Sequence, residues 1–469
     1  MSATTVGEVA NGVTSSAQVE PRVYTGDIDG ADYRIEVPPT WNGTLLLYSH
    51  HYRMPGLPCP ALVVPSHDEL GPRLDGDAMR QILLERGYAI AGTAKTTGWM
   101  MEDTLRDQVL LHDWFIDNVA KPERTYVWGT SPGGLAAIVL AQRHPRRFDG
   151  ALSLGADASG VINQMNLRLD VGFGIKTLLA GEQNLELETI TDPDANFQKV
   201  LGVIGAAAQG DALAHARLIL SCSLGNMVPS AEGHSNRAIT DTKEAVAHLA
   251  WIVSVSHASV TFGPARRNIQ DRAGGNPLWN NGVDYREIFA RSTMQELVKQ
   301  AYAEAGADLE ADLDALNAAP RITNDPKATE YLIRTAGFPG LTPVPVVTMH
   351  TTRDGAAPVE HERALADRVA LVGDPDRLVQ LYIDRNFTCA FSPAEVITAL
   401  DLLEERARTG KWGDTSAEAL NATAAAYPAE QRRVYNFWIP QEREDERFAS
   451  LDPAFVEFEP EQLQRTYPF

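Results

Sequence analysis

The chain has 469 residues, 44% hydrophobic and 22% charged, with a formal net charge of −21 at pH 7. A negative surplus of that size cannot neutralise phosphates, which excludes nucleic acid and anionic membrane as partners. The three scattered cysteines, Cys59, Cys222 and Cys389, give no metal spacing and no disulfide framework, and no run of about 18 apolar residues marks a membrane span.

Residues 1–20 are small and polar, with no basic region ahead of an apolar stretch. They read as a flexible tail, and the chain is expected in the cytoplasm. From Val23 short apolar runs alternate with helical periodicity, which predicts an α/β fold with a mostly parallel sheet. Strands are predicted over Tyr33–Val37 and Thr44–Ser49, a helix over Met79–Arg86 and a strand over Tyr88–Gly92. Residues 102–119 form an amphipathic helix with Leu105, Val109, His112, Ile116 and Val119 on one face. The next strand, Arg124–Trp128, stops at Gly129-Thr130-Ser131-Pro132-Gly133, and a helix-like segment, Leu135–Gln142, follows. This Gly-x-Ser-x-Gly turn between strand and helix lifts a serine hydroxyl to the top of a sheet. A further strand is predicted over Phe148–Leu154.

From 161 to 335 the alternation gives way to helix-forming segments near 171–180, 194–207, 210–221, 241–258 and 294–318. They predict a helical cap inserted in the core. The rhythm resumes with a strand over Val344–His350, a helix over 359–371, a strand over Leu378–Ile383 and a helix over 393–408. Ser392, Pro393 and Glu395 supply the N-cap, first residue and capping box of that last helix. The acidic segment 412–469 carries Tyr435, Phe437, Trp438, Phe448, Phe455 and Phe458 and is expected to wrap the core as an ordered extension. Five parts result: tail 1–20, core 21–160, cap 161–335, core 336–411 and extension 412–469.

With these elements the chain resembles the α/β-hydrolase superfamily over 22–160 and 340–410, the cap falling between the sixth and seventh strands. The resemblance implies catalytic groups in the order Ser, Asp, His. Ser131 matches the first. Asp354, in Met349-His350-Thr351-Thr352-Arg353-Asp354-Gly355 before Pro358, matches the acid loop. The Gly-His pair expected before the capped helix reads Phe387-Thr388 instead, and threonine cannot act as a general base near neutral pH. Pro132 lacks the N–H that normally faces the oxyanion, and His51 stands where a glycine usually follows His50. Losing one oxyanion donor costs about 3–4 kcal/mol, and losing the histidine costs on the order of a million-fold in rate.

Ser131 is then either a nucleophile or a small residue that fits the turn. Asp354 either caps its loop, pairs with Arg53 or Arg385, or works as an acid or base. His50 and His51, beside the nucleophile, are the candidate relocated bases. His350 reads as structural and His361 as a surface helix residue, while His234, His248 and His257 of the cap stay unranked. Tyr52, Pro132, Thr388, Phe387 and Trp99 (in Lys95-Thr96-Thr97-Gly98-Trp99) are candidate substrate contacts at the carboxyl ends of the strands. Met165, Phe173, Met227, Trp251, Phe262 and Trp279 supply cap packing and part of a pocket wall. The leading expectation is a non-hydrolytic enzyme of specialised metabolism, acting alone or as a homodimer on a bulky apolar intermediate. Its reaction would be C–C bond formation, cyclisation, elimination or isomerisation, with no metal or cofactor. The alternatives are a serine esterase or lactonase with a relocated histidine, and a non-catalytic binder of an apolar small molecule.

Overall fold

Strands apolar on both faces fit only a sheet covered on both sides, and Leu45–Tyr48, Ala89–Ala91 and Tyr126–Trp128 are all buried. In the computed structural model these segments sit at the centre of a nine-stranded sheet. The structure describes residues 20–56, 59–65, 75–94, 97–231, 234–337, 340–436, 439 and 441–465. Residues 1–19 of the expected tail, Lys95, Thr96, Phe437 and Trp438 lie outside the described residues.

The strands are β1 (Arg22–Ile28), β2 (Ala31–Val37), β3 (Thr44–Ser49), β4 (Ala89–Ala94), β5 (Arg124–Thr130), β6 (Gly150–Leu154), β7 (Val346–Arg353) and β8 (Leu378–Asn386). A hairpin of β9 (Arg433–Tyr435) and β10 (Phe448–Ser450) follows, then β11 (Phe455–Val456). The sheet order is β1-β2-β4-β3-β5-β6-β7-β8-β11. Strands β3 to β8 run parallel, while β1, β2 and β11 pair antiparallel at the two edges. Helices α1 (Gly76–Glu85), α2 (Met101–Asn118) and α3 (Pro132–Arg143) connect the early strands, and Pro393–Thr409 follows β8.

Between β6 and β7 the described chain is helical, from α4 (Val161–Leu178) to a helix over Pro326–Ala336. Pattern reading found most of these helices but passed over Pro264–Ala273, Tyr285–Ala290 and Pro326–Ala336, along with β1 and β11. β1 was missed because it is an edge strand, largely exposed and polar. The segment expected as one helix over 241–258 breaks into Thr242–Ile252, a π-turn at Val253–His257 and Ala258–Phe262. The helical run Thr242–Ala273 is long and apolar enough to cross a membrane, with mean hydropathy 1.4, yet 61% of that window is buried inside the fold, as in a core helix.

The described part of the C-terminal segment touches both the sheet and the helical insertion. Phe455 pairs with Ile383 on the edge of β8, and Gln464 donates to the Ser223 carbonyl at 2.7 Å in the helical insertion.

Candidate active site

Ser131 ends β5 and precedes α3 with φ 55° and ψ −128°. A non-glycine residue adopts this conformation only under strain of about 1–3 kcal/mol, held by its surroundings. The surroundings are tight. The Ser131 N–H donates to the Leu154 carbonyl at 2.8 Å. A Cβ at Gly133 would lie 2.1 Å from the Ser49 carbonyl oxygen, and one at Gly129 would lie 2.4 Å from the Gly133 oxygen. The two glycines are therefore required by close backbone approach, and they seat the turn on the end of β3. Ser131 and Pro132 stay partly exposed. Pro132 opens α3 without an N–H, as expected.

The loop after β3 carries His50, His51, Tyr52 and Arg53, and it starts against the turn, where a Cβ on Gly133 would lie 2.6 Å from the His50 carbonyl oxygen. His50 does not suit the base role expected of it. Its Nδ1–H donates to the His51 carbonyl at 2.7 Å, its Nε2 faces the Cys59 thiol at 3.6 Å, and burial holds it neutral, with its pKa lowered to about 4. His51 is equally buried, at 4% exposure. Tyr52 keeps part of its surface accessible, and its hydroxyl has no partner among the described residues.

Asp354 caps its own loop: its Oδ1 accepts from the N–H groups of Ala356 (2.8 Å) and Ala357 (2.9 Å). Of the two cations expected against it, Arg385 is taken up by Glu395 at 2.7 and 2.9 Å. His350 faces it instead, with Nε2 3.5 Å from Oδ2. The ring nitrogens of His350 donate to Glu362 (3.0 Å) and to the Ala357 carbonyl (2.9 Å), which defines an imidazolium. His361 is no surface residue. It is fully buried between Ser159 (2.5 Å) and Gln164 (2.8 Å).

Phe387 and Cys389, on either side of Thr388, have φ of 74° and 53°. Phe387 thus adopts a φ natural to glycine, the residue expected at this position from the resemblance. The Phe387 ring is buried against His248 and Trp251 of the insertion, so it packs there instead of offering a contact surface. Trp99 is likewise 3% exposed, its backbone N–H donating to the Asn268 side-chain oxygen at 2.7 Å. Thr388 remains partly exposed. Met165, Phe173, Met227 and Phe262 are core residues of the insertion, whereas Trp251 and Trp279 are half-buried.

Two further residues went unnoticed in the sequence. Arg168 of α4 donates to the carbonyls of Ser256 (2.8 Å) and Ala356 (3.3 Å), while its Nε has no partner among the described residues. Asp157, in the loop leaving β6, is the first of the carboxylates in its electrostatic field, followed by Asp354; Tyr52 and His257 lie in the same field. Burial raises Asp157 to about 6, with Arg168 opposing, and it drives His257 well below the usual imidazole value. A cation midway along a largely apolar helix and a lone carboxylate in Gly155-Ala156-Asp157-Ala158 were the available signals. Among the described residues no group of three or more His, Cys, Asp or Glu side chains could hold a metal.

A family model described as the prolyl oligopeptidase family matches residues 94–167, the stretch holding the serine turn. Over 438 residues the chain is 27% identical to o-phthalyl amidase of Xanthobacter agilis, covering 86% of this chain and 90% of that protein. Among solved structures it is similar to feruloyl esterase B from Aspergillus oryzae, with a TM-score of 0.40 at 12% identity over 83% of this chain and 80% of that one. The enol-lactonase from Burkholderia xenovorans gives a TM-score of 0.30 at 14% identity over 76% and 91%. The matching family and the 27% identical relative are named for hydrolytic activities, and the expected cyclase, lyase or natural-product chemistry finds no support in those names.

Proposed function

We propose, for a chain that belongs to the α/β-hydrolase superfamily, the hydrolysis of an amide or ester of a bulky, preferably aromatic, acyl group through an acyl-Ser131 intermediate. The observation that carries this reading is the Ser131 backbone, φ 55° and ψ −128° on a partly exposed side chain. Strain of that kind persists where it presents a reacting group. The apolar insertion above the strand ends suits a bulky acyl group, and the 27% identical relative is named for an aromatic one.

The site compensates for Pro132. Tyr52, on the loop after β3, has a buried hydroxyl with no partner among the described residues. Burial pushes its pKa up, so it stays a neutral donor to the developing oxyanion. Asp354 is held by two N–H groups and by the His350 imidazolium, and acts as a fixed charge beneath the site.

One reading competes on a specific observation. Thr388 at the histidine position and Pro132 after the serine both favour a non-hydrolytic reaction in which Ser131 only donates a hydrogen bond. The two separate on fluorophosphonate labelling and on turnover of p-nitrophenyl esters and aryl amides, for the wild type beside Ser131→Ala. Labelling and turnover that vanish together in the variant support acyl transfer. A wild type that neither labels nor turns over sinks it.

A further inference from the structure

Asp157 is 7% exposed, and no hydrogen bond to its carboxylate forms among the described residues. Protein encloses the carboxylate on nearly every side. Two contacts bring its loop to Ser131. The Ser131 N–H is bonded to Leu154, where the loop leaves β6. In the first turn of α3, a Cβ on Gly134 would sit 2.9 Å from the Ala156 Cβ, so the loop lies directly on the helix that Ser131 begins. Two backbone carbonyls accept from Arg168, whose charge supports an ionised Asp157 without hydrogen-bonding to it.

Five of the imidazoles, those of His50, His248, His257, His350 and His361, compete poorly for the base role. His50 and His361 have both ring nitrogens engaged. His350 is already protonated. His248 accepts from the Ser230 N–H at 3.0 Å, and His257 is buried beside the Arg168 cation.

We propose that Asp157 is the general base of this site, taking the role that Thr388 cannot fill. The proposal rests on the acyl-transfer reading above. As the Ser131 Oγ–carbonyl bond forms, the hydroxyl proton passes to the Asp157 carboxylate and the carbonyl oxygen becomes an oxyanion facing Tyr52. The bond to the leaving amine or alcohol then breaks, and the Asp157 carboxylic acid returns the proton to that leaving group. Water repeats the sequence: its proton goes to Asp157, its oxygen bonds the acyl carbon, and Ser131 leaves with the proton restored.

The groups facing Asp157 are Arg168 from α4, and Asp354 and His350 from β7 and its loop. Arg168 and His350 lower its pKa, Asp354 raises it, and burial dominates, so it titrates at about 6, close to the pH at which a base of this kind is effective.

The test is the second-order rate of fluorophosphonate labelling from pH 4.5 to 9 for the wild type, Ser131→Ala, Asp157→Asn and Asp157→Ala. The wild-type rate is expected to rise through pH 6 to a plateau. Asp157→Asn is expected to lose about 100-fold or more and to lack that limb. Formate added to Asp157→Ala restores labelling, which a merely structural role would not allow, and this arm stands if the Asn variant fails to fold. A wild type that labels while both Asp157 variants label within about threefold of it overturns the assignment. A wild type that never labels overturns the acyl-transfer reading and this proposal with it.

Discussion

His350 lies between two carboxylates and donates through both ring nitrogens, to Glu362 at 3.0 Å and to the Ala357 carbonyl at 2.9 Å. Burial alone would lower its pKa, but hydrogen bonds to Asp354 and Glu362 and their charges outweigh that and raise it to about 10. A folded-state value above the unfolded one means this group's stabilisation is complete below the ordinary imidazole value, roughly pH 6.5, and is lost as pH rises towards 10. The stability gap between wild type and His350→Gln should therefore close between pH 6.5 and 10, by on the order of a few kcal/mol. Urea unfolding at pH 6, 8 and 10 measures it, and a gap that stays constant with pH would contradict the imidazolium. The positions of Ser131, Asp354 and Thr388 were legible in the chain because each sits at a fixed distance from a strand end or a helix cap. The ionisation state of His350 was not, since Glu362 reaches it from the next helix. Nor was the burial of His50, which lowers its pKa to about 4 against the opposing pull of its neighbour's carbonyl.

At the level of elements, the serine turn and the loop after β8 are built by opposite means. The turn depends on missing side chains. A Cβ on Gly133 would press on the Ser49 and His50 carbonyl oxygens at 2.1 and 2.6 Å, both of them backbone, so α3 would have to move away from β3. Gly133→Ala should abolish Ser131 reactivity even where the protein still folds, and the labelling assay read beside circular dichroism separates the two effects. The β8 loop depends instead on a buried ion pair. Arg385 binds Glu395, which also completes the capping box of Pro393–Thr409, and it donates to the carbonyls of Ala390 and Asp452. Glu395→Gln removes the charge that balances a 7% exposed guanidinium and should cost about 3–5 kcal/mol by denaturant unfolding. A loss under 1 kcal/mol would mean that water reaches Arg385. The capping box was visible as Ser-Pro-Ala-Glu. The ion pair that uses the same glutamate was not, because it joins residues on either side of the strained turn.

Across the whole molecule, the C-terminal segment ties the sheet to the helical insertion. It adds β11 to the edge of β8, then crosses to the insertion, where Gln464 bonds the carbonyls of Ser223 and Ile288. Arg465 ends this strap on Asp170 at 2.9 Å, inside α4. Asp170 is 0% exposed, and burial raises its pKa while Arg465 and the Tyr285 hydroxyl oppose that. α4 also carries Arg168, so the strap fixes one wall of the proposed site from a point distant in sequence. Aromatic content alone suggested that residues 412–469 would pack on the core, but pairing across hundreds of residues leaves no periodic mark in the chain. Arg465→Ala strands a buried carboxylate and should destabilise by about 3 kcal/mol or more. Arg286→Ala, which breaks pairs with the largely exposed Glu310 and Asp314, should cost about 1 kcal/mol or less. If the strap holds the insertion as a unit, hydrogen exchange in Arg465→Ala will accelerate across α4 and Tyr285–Ala290 while β3 to β6 stay protected. Uniform acceleration of sheet and insertion together would show that they unfold as one body and that the strap adds stability without dividing it.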